Sequence, residues 1–271
     1  MCRWLAYSGA PILMGDLIHK PKNNLIHQSL HAQSVRVPTN GDGCGIGWYD
    51  NFATPGLYRS IHPAWNDMNL LDLADHIESP LFMSHVRATS LASVQETNCH
   101  PFRYNNWLFL HNGQIADFKK LHQPLIAKIA PEYFKNMLGT TDSEVMFHLA
   151  LTYGMEKDVI GGIKKMVEVV EQTAKENGIE DAIWMTLCIS NGKSLWAFRY
   201  GSDGKSPTLY ISPGIDELIK INPAIDGKFG DFAACIVSEP IGNFQDIWQT
   251  VSENSVVTVE NKKISVVDFI K

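Results

Sequence analysis

No stretch of this chain approaches the ~18 consecutive apolar residues of a membrane-spanning helix, so a transmembrane protein is not expected. No secretory leader is expected either. One residue precedes Cys2, which leaves no room for a charged and apolar leader or for the apolar run of a lipoprotein signal. Cationic charge is in deficit, with 23 Lys and Arg against 29 Asp and Glu and a formal net charge of −6. That balance argues against nucleic acid or an anionic membrane as the main partner. Cysteine is sparse: Cys2, Cys44, Cys99, Cys188 and Cys235 are widely spaced and odd in number. That argues against a disulfide framework, and no CxxC or Cys/His pair has zinc-ligand spacing. Internal repeats, low-complexity tracts and Pro/Gly/Ser-rich linkers are all lacking. The absences together predict a cytoplasmic protein with a single domain over residues 1–271.

What is present is ordinary for a globular chain: 45% hydrophobic and 19% charged residues over a length that buries a large core. Short segments rich in Val, Ile, Phe, Trp and Tyr, bounded by turn residues, predict strands over 2–7, 45–49, 81–87, 107–111, 182–190, 194–200, 208–211, 232–237, 255–259 and 263–267. Asn191-Gly192 predicts a hairpin with a type I′ turn. Helical spacing predicts helices over 24–34, 68–77, 142–153 and 158–177. The third opens with Thr141-Asp142-Ser143-Glu144, residues suited to a helix cap. Strands, then paired helices, then strands again predict an α+β fold of two sheets with helices outside them. Cys188 and Cys235 sit in apolar strand patterns and read as core, and His148 reads as a packed or hydrogen-bonded helix residue.

Polarity gathers in four places. Cys2 stands directly behind Met1, so removal of Met1 leaves one residue with a thiol and a free α-amine. Those groups titrate near ~8.5 and ~8 and supply a nucleophile and a base together. Asn40-Gly41-Asp42-Gly43-Cys44-Gly45-Ile46-Gly47 is glycine-rich, which permits sharp turns and close backbone approach. With no strand before it and no helix after it, it does not make a dinucleotide fingerprint. Arg87, in Ser84-His85-Val86-Arg87-Ala88-Thr89-Ser90, ends an apolar strand where a guanidinium suits a carboxylate or a plain salt bridge. In Trp107-Leu108-Phe109-Leu110-His111-Asn112-Gly113 the strand is expected to stop at Asn-Gly. There an asparagine amide and a glycine N–H make either an oxyanion hole or a common turn.

In this order Cys2, Arg87 in its His-x-Arg context, Asn112-Gly113, and Asp142 in Gly139-Thr140-Thr141-Asp142-Ser143-Glu144 resemble the class II glutamine amidotransferases. His100-Pro101 and Ser238-Glu239 are similar to further elements of that family. The resemblance is specific over about residues 2–150. It implies a four-layer αββα sandwich of the N-terminal nucleophile hydrolase type, with Cys2 at the end of a central strand. It further implies Cys2 as nucleophile on glutamine or a related γ-glutamyl amide through a thioester, and Asn112 and Gly113 as the oxyanion hole. Substrate contacts fall to Arg87, Thr89, Ser90, His100 and Asp142, with no metal and no organic cofactor. The family motif runs Arg-x-x-Thr, whereas Arg87-Ala88-Thr89-Ser90 places threonine one position early, so Thr89 or Ser90 supplies the hydroxyl.

Two other readings stand beside this one. A cysteine acylase of the bile-salt and penicillin hydrolase type also exposes an N-terminal cysteine, and a non-catalytic glutamine-sensing subunit would keep the fold without turnover. His85-Val86-Arg87 and Asn112-Gly113 favour the amidotransferase over the first, and the intact Cys2 speaks against the second. The chain holds no segment of synthase size, so a separate synthase or peptidase subunit is a candidate partner.

Overall fold

The computed structural model describes residues 2–31, 39–89, 92–212, 214–228, 230–243 and 245–270. Ser90, and residues 32–34 at the end of the first predicted helix, lie outside them. Among the described residues the strands form two antiparallel sheets. The seven-stranded sheet contains β1 (Arg3–Leu13), β2 (Cys44–Tyr49), β3 (Gly56–Ser60), β4 (Glu78–Val86), β9 (Tyr210–Ile211), β10 (Ala233–Val237) and β11 (Gln249–Thr250), in the order β11-β9-β10-β1-β4-β2-β3. The six-stranded sheet contains β5 (Phe102–Tyr104), β6 (Trp107–Ile115), β7 (Ile183–Ser190), β8 (Leu195–Gly201), β12 (Ser255–Glu260) and β13 (Lys263–Asp268), in the order β13-β12-β8-β7-β6-β5.

Alternation along the strands decides the layers, because successive side chains point to opposite faces. Leu5, Tyr7, Ile46 and Phe82 pack outward against α1 (Gly15–Ile18), α2 (Leu25–Leu30), α3 (Met68–His76) and α8 (Ile215–Ile221). Trp4, Ala6, Met83, Leu108, Leu110 and Val257 fill the space between the sheets. Phe109, Met185, Leu187 and Phe198 meet α4 (Phe118–Ile126), α6 (Asp142–Thr152) and α7 (Val159–Glu176), with α5 (Pro131–Phe134) beside α6. The result is the αββα sandwich. Cys188 and Cys235 are buried, and His148 is buried with Nδ1 2.9 Å from the Glu144 carbonyl. Among the described residues no helix is long and apolar enough to cross a membrane.

Two local expectations are corrected. The strand through Asn112-Gly113 does not stop there but runs to Ile115, paired with β7 throughout. Asn191-Gly192 does lie between β7 and β8, but Gly192 takes positive φ (87°) and Asn191 does not. The loop 191–194 is instead closed by the Asn191 side chain, which accepts from the N–H groups of Lys193 and Ser194, both at 3.0 Å. The paired positive-φ turn expected of type I′ appears at Asn261-Lys262 (φ 49° and 57°) between β12 and β13.

The glycine-rich segment becomes β2, and its glycines bring the sheets together. A Cβ on Gly45 would overlap the His100 carbonyl oxygen and come within 2.9 Å of the Tyr58 oxygen. One on Gly47 would lie 2.7 Å from Leu108. Gly45→Ala is expected to destabilise the fold by about 1–3 kcal/mol through overpacking. A thermal melt checks this, and an unchanged Tm would show that β2 has room to move.

Candidate active site

Cys2 precedes β1, whose first residues are fixed from several directions. Trp4 N–H donates to Ser238 Oγ at 3.1 Å, and Ser238 N–H donates to the Trp4 carbonyl at 3.0 Å. Arg3 Nε is 3.0 Å from Glu239 Oε2 in a buried ion pair, and Arg3 Nη1 donates to the Cys2 carbonyl at 3.0 Å. The Trp4 indole reaches across to the second sheet and donates to Thr186 Oγ1 at 3.1 Å. Ser238-Glu239 thus anchors the strand that carries the thiol.

Cys2 is half-buried, whereas the other four cysteines are buried. Its sulfur is held at the Ala88 backbone, 3.4 Å from N–H and 3.5 Å from the carbonyl oxygen. Burial pushes the thiol pKa up; the Ala88 N–H and the Arg87 guanidinium pull it down, and Asp142 adds to the rise. Register places the neighbours: β1 pairs Arg3 with Val86, which sets Cys2 one step on beside Arg87. Arg87 is buried and donates to the Asp42 and Ser93 carbonyls at 3.2 and 3.4 Å. The Asp42 carboxylate accepts from Thr89 N–H at 2.8 Å. The Thr89 hydroxyl closes its own loop, donating to the Ala92 carbonyl at 3.0 Å and accepting from Ala92 N–H at 3.1 Å.

Opposite stands the first turn of α6. Thr141 caps it by accepting from Glu144 N–H at 3.1 Å. Glu144 does not reach back to the cap; its carboxylate accepts from Leu138 and Gly139 N–H at 2.8 and 2.7 Å. Asp142 accepts from Ile115 N–H at 2.9 Å and Ser143 N–H at 2.8 Å. Asn98 joins the two walls: its amide donates to the Ser93 carbonyl at 3.0 Å and its oxygen accepts from Thr140 N–H at 2.8 Å.

Cys2, Arg87, Thr89, His100, Gly113 and Asp142 line one cleft of about 540 Å³. Asn112 is the exception. It is buried and shares the inter-sheet face with Leu108 and Leu110, opposite the Thr186 that receives the Trp4 indole. That places it beneath the start of β1 rather than in the cleft wall, with Oδ1 unpaired among the described residues. His100 is buried with its ring 4.3 Å from His85 and 4.5 Å from Phe102, and both its nitrogens lack a partner among the described residues. Burial, reinforced by His85, His111 and Arg87, holds His100 well below the usual histidine range. Burial takes His85 down to about 3.

Sequence reasoning passed over His111 and Ser143, and the wall formed by Phe118, Lys119 and His122 of α4. His111 stood inside the quoted motif; its ring nitrogens meet Ser143 Oγ at 2.8 Å and the Trp184 carbonyl at 3.4 Å, contacts no local pattern announces. Among the described residues no group of three His, Cys, Asp or Glu side chains is placed to hold a metal ion.

The sandwich and the cleft define an N-terminal nucleophile hydrolase fold. Residues 18–211 match the family described as "Glutamine amidotransferases class-II", and the chain belongs to that family. It is 28% identical to the probable glutamine amidotransferase DUG3 of Saccharomyces cerevisiae, over 97% of this chain and 83% of that protein. It is 30% identical to the gamma-glutamyl-hercynylcysteine sulfoxide hydrolase of Mycolicibacterium smegmatis, over 74% of this chain and 80% of that one. Among solved structures, a glutamine aminotransferase class-II domain protein from Silicibacter pomeroyi superposes with a TM-score of 0.76 at 30% identity, covering 100% of both chains. The glutamine phosphoribosylpyrophosphate amidotransferase of B. subtilis shares the fold at 14% identity and a TM-score of 0.63, covering 99% of this chain and 49% of that one.

Because burial raises the Cys2 thiol, its thiolate fraction at neutral pH is small and grows as pH climbs past the ordinary thiol range. Alkylation by iodoacetamide, followed by peptide mass, is expected to label Cys2 at a rate still rising above pH 8, with the four buried cysteines spared. A rate that levels off below pH 7 would contradict this.

Proposed function

We propose that this protein hydrolyses the side-chain amide of glutamine, or of a related γ-glutamyl amide, through a thioester on Cys2. The observation that carries the reading is the meeting of Cys2, Arg87, Gly113 and Asp142 in one cleft, from segments far apart in sequence. A guanidinium and a carboxylate on facing walls suit the carboxylate and ammonium of an α-amino acid. That pairing favours an amino-acid amide over the fatty or aromatic N-acyl groups an acylase would need to seat.

In this mechanism removal of Met1 frees the Cys2 α-amine, which takes the thiol proton. A thiol that burial keeps protonated needs such a base at hand. The sulfur then attacks the γ-carboxamide carbon. The oxyanion is held by the Gly113 N–H in the cleft wall and by the Asn112 amide reaching from its buried place beneath the start of β1, where loss of one donor typically costs ~3–4 kcal/mol in the barrier. The amine leaves with the proton, and water hydrolyses the thioester to glutamate and free thiol. Arg87 binds the α-carboxylate, with Thr89 or Ser90 assisting, and Asp142 binds the α-ammonium. His100, held neutral by burial and without a partner among the described residues, supplies a hydrogen-bonding group without charge.

A single cytoplasmic domain over 1–271 of this kind either passes ammonia to a separate synthase or peptidase subunit or hydrolyses a γ-glutamyl bond as its whole task. The relative that acts on a γ-glutamyl compound supports the second. Incubation of the processed protein with glutamine and with γ-glutamyl amides should release glutamate. Cys2→Ala is expected to abolish release, and Arg87→Lys to raise KM more than it lowers kcat. Glutamate release by Cys2→Ala at the wild-type rate would end the covalent mechanism.

A further inference from the structure

Gly113 has a backbone few strand residues adopt, with φ 152°. No side chain fits there: a Cβ would overlap the Trp184 carbonyl oxygen and lie 2.6 Å from His111 Nε2. The Gly113 peptide therefore rests against two neighbours, and one of them holds the other. His111 Nε2 lies 3.4 Å from that same Trp184 oxygen, and Nδ1 lies 2.8 Å from Ser143 Oγ. A carbonyl only accepts, so Nε2 carries the proton and Nδ1 is left to accept from the Ser143 hydroxyl, for which it is, at 2.8 Å, a nearer acceptor than Asp142 Oδ1 at 3.3 Å. The His111 carbonyl is in turn 3.3 Å from His85 Nε2, which donates to it across the inter-sheet space. One residue thus ties β6 to β7, to the first turn of α6 and to β4, immediately before Asn112-Gly113. Burial lowers the His111 pKa against the opposing pull of Asp142, which keeps the ring in its one-donor, one-acceptor form.

We propose that His111 is a positioning residue for the oxyanion hole: its Nε2–H fixes the Trp184 carbonyl against which Gly113 rests, and so aims the Gly113 N–H at the reacting carbonyl. This rests on the reading of Gly113 as an oxyanion donor. His111 does not touch the substrate amide in this scheme and acts only through the peptide it braces.

Two variants separate its nitrogens. His111→Gln extends an amide to the Nε2 position and keeps a donor for Trp184, whereas His111→Asn reaches only the Nδ1 position and keeps the Ser143 contact. With glutamine as substrate, His111→Asn is expected to lose ~10-fold or more in kcat, part of what a missing oxyanion donor removes, with KM within about two-fold. His111→Gln should recover most of that loss. Cys2 alkylation at fixed pH should be the same in both, since the nucleophile is untouched. Equal losses, the reverse order, or alkylation falling in step with kcat would overturn the proposal. If either variant fails to fold, Ser143→Ala frees the ring to turn and should lower kcat; unchanged kcat there overturns it too. A wild-type protein that releases no glutamate from glutamine or γ-glutamyl amides would remove the hydrolase reading itself, and the proposal with it.

Discussion

The start of β1 is where the rest of the structure is decided. A residue at position 2 would ordinarily fray, since chain ends have few partners. Here the next two residues are locked: Trp4 by reciprocal backbone and hydroxyl bonds with Ser238 and by its indole on Thr186, and Arg3 by the buried pair with Glu239. Breaking one member of a buried ion pair typically costs several kcal/mol, because the partner charge is stranded. The pair therefore matters for where the chain end sits more than for net stability. β1 is central in its sheet, flanked by β4 and β10, so both of its edges are satisfied and the thiol inherits their rigidity.

Around that fixed point the charges are few and the neutral polar groups many. Arg87 lies in a region with three buried histidines, His85, His100 and His111, each held uncharged by burial. Neutral rings leave the Arg87 guanidinium, Asp142 and Lys119 as the charges that line the cleft. In a poorly solvated site such charges act over longer distances and with greater energy than on the surface. The same burial disfavours the Cys2 thiolate.

Much of this was legible from sequence, because the groups that carry it announce themselves by type and order. Cys2 behind Met1, an arginine closing an apolar strand, and an aspartate opening a capped helix each have a local signature, and all three line the cleft. The layered α+β architecture followed from strand and helix periodicity. Short pieces escaped: β5 and β11 have too few residues to show alternation. α4 hid behind Asp117 at φ 44° and a proline inside the helix, Pro124. Asn112-Gly113 was read as a strand end because the dipeptide usually turns, whereas pairing with β7 carries the strand through it. The role of His111 was invisible, since its partners Ser143 and Trp184 lie 32 and 73 residues away.

Asn98 has a consequence for what the cleft can admit. Its one amide joins the Ser93 carbonyl, which also receives Arg87, to the backbone of Thr140 just ahead of Asp142. The cationic and anionic walls are therefore parts of one frame, with a cross-brace that sets the gap between them. Such a frame works as a gauge: it holds the Arg87 and Asp142 walls at one spacing rather than leaving either free to drift. That spacing is set by hydrogen bonds of the folded chain itself.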